Sequence, residues 1–182
     1  MIVVGILGDI GSGKSFVSKQ FFCPVFDADR EVKKIYFNDK KCYKRLKKNL
    51  PKFISSFPIK KKEIGKALIE NKNNLKKIIN IVHPIVRYKM KKFLKKNKDK
   101  KIVILDVPLL LENKLNKKNY ILIYVYAKKK EIIKNLKKRK NYNVKILKIL
   151  RKFQLPLELK KKNLIILLII ILKNCMLKKM LK

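Results

Sequence analysis

The chain has 182 residues, with 50 Lys plus Arg against 12 Asp plus Glu and a formal net charge of +38. That length supports one domain with a sizeable core and argues against a two-domain tandem, while 47% apolar residues exclude a disordered polycation. The charge does not by itself name nucleic acid as a partner: only Arg30, Arg45, Arg87, Arg139 and Arg151 are Arg, and Lys is spread over the whole chain with abundant Ile and Asn, the mark of A/T-rich coding.

Ile2 to Leu7 is a short Val- and Ile-rich run that reads as a buried strand of a parallel sheet. Gly-rich sequence follows, and Lys14 to Phe22 has helical character. Pro24 ends that helix, and Val25-Phe26 leads into Asp27 as a second strand. From Arg30 to about Lys98 the pattern is helical, with breaks near Pro51 and Pro58. Ile78, Ile79, Val82, Ile85 and Val86 mark an apolar face there, and Pro84 should start or kink a helix. Lys101–Val107 and Tyr120–Tyr126 are two further buried strands, and Lys128 to Lys152 is helical and strongly basic. Strands separated by helices predict an α/β fold with a parallel sheet, carrying a helical insertion after the second strand.

Cys23, Cys42 and Cys175 show no CxxC or zinc spacing and fit free thiols in a reducing compartment. Met1–Leu7 is short and lacks a basic lead-in, so no signal peptide is expected. The longest apolar run, Leu164–Leu172, would span about 14 Å as a helix, too little for a bilayer. The expectation is a cytoplasmic protein with no membrane partner, a monomer or weak oligomer.

Residues 8 to 15 read Gly8-Asp9-Ile10-Gly11-Ser12-Gly13-Lys14-Ser15. This is the GxxxxGK[ST] P-loop pattern. Its glycines let successive N–H groups turn inward on phosphates, and the following helix presents its positive end to the same anion. In this pattern Lys14 reaches the β and γ phosphates and Ser15 is placed to ligate Mg²⁺. Three of the five glycines fall inside these eight residues, with a strand before and a helix after, so a chance turn is a poor account. The GTPase elements Asn-Lys-x-Asp and Asp-x-x-Gly are missing from the sequence. A small P-loop chain with a helical insertion and a basic helical stretch near its end suggests a small-molecule kinase.

Asp27-Ala28-Asp29 stands at the end of the second strand, on the edge where ligands of parallel sheets bind. Asp27 reads as structural or acceptor-orienting and Asp29 as catalytic, with a helix cap as the alternative. Asp106 ends the Lys101 strand and is a candidate Mg²⁺ ligand, again against a cap. His83 is the single His and reads first as a structural hydrogen-bonder.

Taken together, GILGDIGSGKS, DAD, HPIVR, ILDVPLLLE, KNLKKR and QLPLE, in this order, resemble the dephospho-CoA kinase family over residues 2 to about 158. The resemblance implies a three-layer P-loop core (about 1–29, 100–127 and 156–182), an acceptor-binding insertion (about 30–99) and a lid (about 128–155). It implies transfer of the ATP γ-phosphoryl to the 3′-hydroxyl of dephospho-CoA, with Mg²⁺. It further implies Gly8 and Gly11 to Phe16 on the ATP phosphates, Asp29 as general base, and Lys14 and Arg139 on the transferring phosphate. Asp27, Asp29, His83, Arg87, Pro108 and Leu109 are implied to meet the acceptor, and Ser15 and Asp106 the metal. Other small-metabolite or nucleoside monophosphate kinases, a decayed inactive homologue and a polyanion binder are the rival readings.

The departures from the family pattern are Phe16 for its Thr, Lys61 for an Arg of the insertion, and Asn135 for the first Arg of the lid. Lys137 and Lys138 stand near to compensate the last. The family continues after QLPLE with a stretch like a-D-x-V-I-x-N, whereas residues 162–174 read KNLIILLIIILKN. If A/T-rich codons are assumed, another frame of the same bases reads KSDYIINNNFKK. A reading-frame shift is therefore expected, with a genuine buried terminal strand or helix as its alternative.

Overall fold

A computed structural model describes residues 1–108, 110–112, 115–116, 119–138, 142–156, 159 and 166–169. The chain divides into two compact units: Met1–Asp27 with Leu94–Tyr142 and Phe153–Lys182, and Ala28–Phe93 with Asn143–Lys152.

The first unit is built on a five-stranded parallel sheet. Its strands are β1 (Ile2–Gly8), β2 (Val25–Asp27), β3 (Ile102–Asp106), β4 (Ile121–Tyr126) and β5 (Ile166–Ile169), in the order β2-β3-β1-β4-β5. The central strands are near-continuous apolar runs because both faces of the sheet are covered. Val4, Ile6, Ile104, Ile123 and Val125 form one buried cluster with Val17, which lies on helix α1 (Lys14–Gln20). Leu105, Leu122 and Tyr124, one residue out of step, are buried too.

Register brings the functional strand ends together. Asp106 pairs with Ile6 on one side and with Asp27 on the other, so the ends of β1, β2 and β3 share one edge of the sheet. In the strand order, β1 lies between β3 and β4, so the chain crosses from one side of β1 to the other after β3. The crevice at such a switch point is where open α/β sheets bind ligands. The backbone of 166–169 pairs in parallel with β4 at the opposite edge strand, Ile166 against Ile123. Helix α6 (Lys129–Lys137) also belongs to this unit, burying Ile132 and Leu136.

The second unit is helical: α2 (Ala28–Asn38), α3 (Lys40–Asn49), α4 (Lys61–Glu70), α5 (Asn73–Lys96 as far as Phe93) and α7 (Val144–Arg151). The basic stretch read from the sequence as one lid thus falls in two units, α6 in the first and α7 in the second. Asp39 separates α2 from α3 by capping the latter, its carboxylate accepting from the Cys42 amide at 2.8 Å. Leu46, Leu50, Ile54, Ala67, Ile78 and Val82 supply the core. Gly65 lets α4 approach α7, since a Cβ there would stand 3.3 Å from Ile146 Cδ1. Glu31 on α2 pairs with Lys34 at 2.6 Å and with Lys89 on α5 at 3.5 Å. Burial works to raise the Glu31 pKa, but these two lysines outweigh it and hold the carboxyl below its ordinary value.

Of the two outcomes expected for Pro84, starting or kinking a helix, the first does not occur. Pro84 neither starts nor ends a helix but lies inside α5. Its ring denies a helical partner to the carbonyl of Asn80 one turn back, and both residues lie on the exposed side of the helix, the side open to solvent.

Candidate active site

The P-loop joins β1 to α1. Gly8 ends the strand and Gly13, with φ +95°, caps the helix from the left-handed region. Nothing lies within 4 Å of the point where a Cβ on Gly13 would stand, so that face of the loop is open. Gly11 is the opposite case. Its φ is +92°, and a Cβ would come within 2.8 Å of Leu136 Cγ and 3.2 Å of the Ile132 carbonyl oxygen. There the backbone lies directly against α6, and only glycine satisfies both the angle and the contact.

Lys14 is 9% exposed, and its ammonium donates to the carbonyl oxygens of Gly8 at 2.9 Å and Asp9 at 2.8 Å. A buried ammonium needs such acceptors to offset lost hydration. They hold the charge over the loop. The Asp9 carboxylate is occupied elsewhere: it hydrogen-bonds the Tyr124 hydroxyl on β4. Burial first, then the Asp9 charge and this bond, push the Tyr124 phenol well above its ordinary range. Asn135 on α6 donates its Nδ2 amide to the Gly11 carbonyl at 3.1 Å.

Ser12 Oγ is buried and has no hydrogen-bond partner among the described residues. An orphaned buried hydroxyl beside an open glycine face and an ammonium fits a phosphate oxygen as its acceptor. Ser15 and Phe16 are both exposed on the first turn of α1. Phe16 has no polar side-chain atom, so its side chain offers a phosphate nothing.

Asp106 is 4% exposed at the end of β3 and lies in register with half-buried Asp27 on β2, which places both carboxylates on one face of the sheet. The described residues contain no group of three or more His, Cys, Asp or Glu that could close a metal cage. Mg²⁺ needs no such cage, since it takes much of its shell from water and phosphate; the Asp106 carboxylate and the Ser15 hydroxyl are hard oxygen donors of the kind that could hold it. Glu112, after β3, accepts from the Leu155 amide at 2.9 Å, tying together two of the three chain segments of this unit.

Asp29 is exposed in the first turn of α2, two residues beyond Asp27 in the chain. His83, half-buried, and Arg87, exposed, are four residues apart on α5 and so share a helix face. Lys61 is exposed at the start of α4, and Pro108 is half-buried just after β3. Arg139 and Leu109 lie outside the described residues. Sequence reasoning missed the part played by Asp9, Tyr124 and Asn135. Asp9 carried a weak signal, as the one acid inside a phosphate loop. Asn135 is 124 residues from its partner, and no local pattern could announce it.

The family model for dephospho-CoA kinase matches residues 2–170. A dephospho-CoA kinase from Wolbachia sp. subsp. Brugia malayi is 32% identical over 165 residues, covering 88% of this chain and 84% of its relative. One from Bacillus thuringiensis is 30% identical over 169 residues, covering 89% and 84%. Among solved structures, a Thermus thermophilus protein has a TM-score of 0.76 at 24% identity, covering 99% of this chain and 96% of that one. The dephospho-CoA kinase of Campylobacter jejuni has a TM-score of 0.64 at 19% identity, covering 98% and 93%, and shares the fold. A P-loop at the switch point of a parallel sheet, two carboxylates on the neighbouring strand ends and a family match over nearly the whole chain lead to one conclusion: the chain belongs to the dephospho-CoA kinase family.

Proposed function

We propose that this kinase transfers the γ-phosphoryl group of ATP to the 3′-hydroxyl of dephospho-CoA, giving coenzyme A and ADP. The observation that carries the reading is the P-loop itself, with Lys14 held over the loop by two carbonyls and Ser12 Oγ left as a buried unpaired hydroxyl. The loop amides and Lys14 bind and orient the phosphates. Asp29 accepts the proton of the attacking hydroxyl, whose oxygen forms the new bond to phosphorus as the bond to the ADP oxygen breaks. Asp27 orients the acceptor. His83, Arg87, Pro108 and Leu109 belong to acceptor recognition, and Arg139 balances charge on the transferring group. Ser15 and Asp106 would hold Mg²⁺, which supplies neutralisation of phosphate charge when bound.

The test is ADP release from Mg-ATP with dephospho-CoA, against AMP, CMP, adenosine and shikimate. Turnover with dephospho-CoA alone is expected. Equal turnover with another acceptor would sink the substrate assignment. Asp29→Asn should lower kcat by roughly 10²- to 10⁴-fold, the usual range for a general base, and Asp27→Asn by less; the reverse order would exchange their roles.

A further inference from the structure

The P-loop is braced from the side by α6. The amide of Asn135 donates to the Gly11 carbonyl at 3.1 Å. The other end of the same peptide unit, the Ser12 N–H, donates to the Asp9 carbonyl at 3.1 Å. That Asp9 carbonyl also accepts from the Lys14 ammonium at 2.8 Å. One run of bonds therefore passes from Asn135 through the Gly11–Ser12 peptide to Asp9 and on to Lys14.

The brace is needed at this point because of Gly11. A glycine with φ +92° sits in a backbone well that a peptide rotation leaves at little cost. Such a rotation would break the Ser12–Asp9 bond and loosen one of the two acceptors that hold Lys14. Packing does not prevent it, since Leu136 and Ile132 touch Gly11 on the side where a side chain would be. They restrain position, whereas the Asn135 amide restrains orientation. Helix α6 keeps its place without that amide, because Ile132 and Leu136 are buried, at 6% and 3% exposed.

We propose that Asn135 is a positioning residue for phosphoryl transfer, fixing the Gly11–Ser12 peptide and through it the Lys14 ammonium. Its side-chain amide is engaged by the loop carbonyl, through which it acts. The position that departs from the family's lid arginine thus has a task of its own on the loop. The inference rests on reading the P-loop as the ATP site.

The experiment measures, by titration calorimetry, the binding of ADP and of a non-hydrolysable ATP analogue to the full chain, to three Asn135 variants, and to Lys14→Ala with and without Asn135→Ala, alongside steady-state kinetics and thermal unfolding without nucleotide. Asn135→Ala should weaken nucleotide binding and lower kcat/KM for ATP by about three- to tenfold, the worth of one hydrogen bond, with the acceptor KM unchanged. Asn135→Asp keeps the shape but sets a carboxylate against a carbonyl, and should lose more. Asn135→Gln retains a donor and should return to within about threefold of the parent. The Asn135→Ala effect should shrink in a Lys14→Ala background, because the two act through one run of bonds. Variants that lower Tm but bind nucleotide like the parent would overturn the proposal, as would full additivity with Lys14→Ala. A parent chain that binds no adenine nucleotide would overturn the P-loop reading and this inference with it.

Discussion

Two loops in this molecule gather backbone N–H groups in tight turns, and they resolve the need in opposite ways. In the second unit, the segment from Ser55 to Lys60 is closed by an internal anion. Glu63, 9% exposed on the first turn of α4, accepts from the Ser55 amide and hydroxyl, both at 2.8 Å, and from the Lys60 amide at 2.8 Å. It also accepts from the Ser56 amide and hydroxyl, both at 3.1 Å. In the first unit, the P-loop has a carboxylate of its own, Asp9, but that carboxylate is engaged by Tyr124 on β4. The amides of Gly11, Gly13 and Ser15 donate to no carboxylate among the described residues. A loop that carries its own anion is finished as structure. A loop that diverts its acid and keeps a buried cation is built for an anion brought from outside.

The largest expected effect comes from removing the cation. Lys14→Ala should lower kcat/KM for ATP by about 10³-fold, the scale for losing a charged group aimed at the transition state, with Tm moved by only a few degrees. A fall in Tm without loss of turnover, read from unfolding curves and ADP release, would mean that Lys14 serves the fold as Glu63 does.

Next comes the internal anion. Glu63→Gln removes the charge that five donors converge on and should destabilise the second unit by on the order of 2 kcal/mol. The protein that remains folded should keep its kcat. Loss of kcat at full folding would erase the distinction between the two loops.

The same carboxylate sharpens the comparison by pH. Burial alone would raise the Glu63 pKa, but the hydrogen bonds from Ser55, Lys60 and Ser56 outweigh it and lower it to about 2. The unfolded chain, at an ordinary value of 4.5, binds its proton first as pH falls. The stabilisation is therefore complete above about pH 5 and is lost progressively toward pH 2. Denaturant midpoints across this range should fall more steeply for the parent than for Glu63→Gln. Parallel curves would show that other groups set the acid limit.

The smallest effect separates one bond from five. Asp39 accepts a single cap bond from Cys42, and Asp39→Ala should cost about 1 kcal/mol. A loss equal to that of Glu63→Gln would mean that converging donors add nothing beyond an ordinary cap.

The sequence by itself determined whatever is written in contiguous residues. The buried strands are legible because a parallel sheet covered on both faces demands unbroken apolar runs, as in 102–105 and 121–125. The P-loop is legible because its glycines, Lys14 and Ser15 act within eight residues of chain. The strand ends carrying Asp27 and Asp106 are legible for the same reason, and register then sets them side by side. What only the tertiary structure decided involves partners chosen by packing. Asn135 meets Gly11 across 124 residues, and Tyr124, an apolar-strand residue by pattern, takes the loop's one carboxylate. Pro84, expected to start or kink a helix, lies inside α5, and only the packing of α5 shows that it and Asn80 one turn back fall on the exposed side. A side-chain hydrogen bond has no period and leaves no mark on its neighbours in sequence, so its partner emerges only when the backbone has folded.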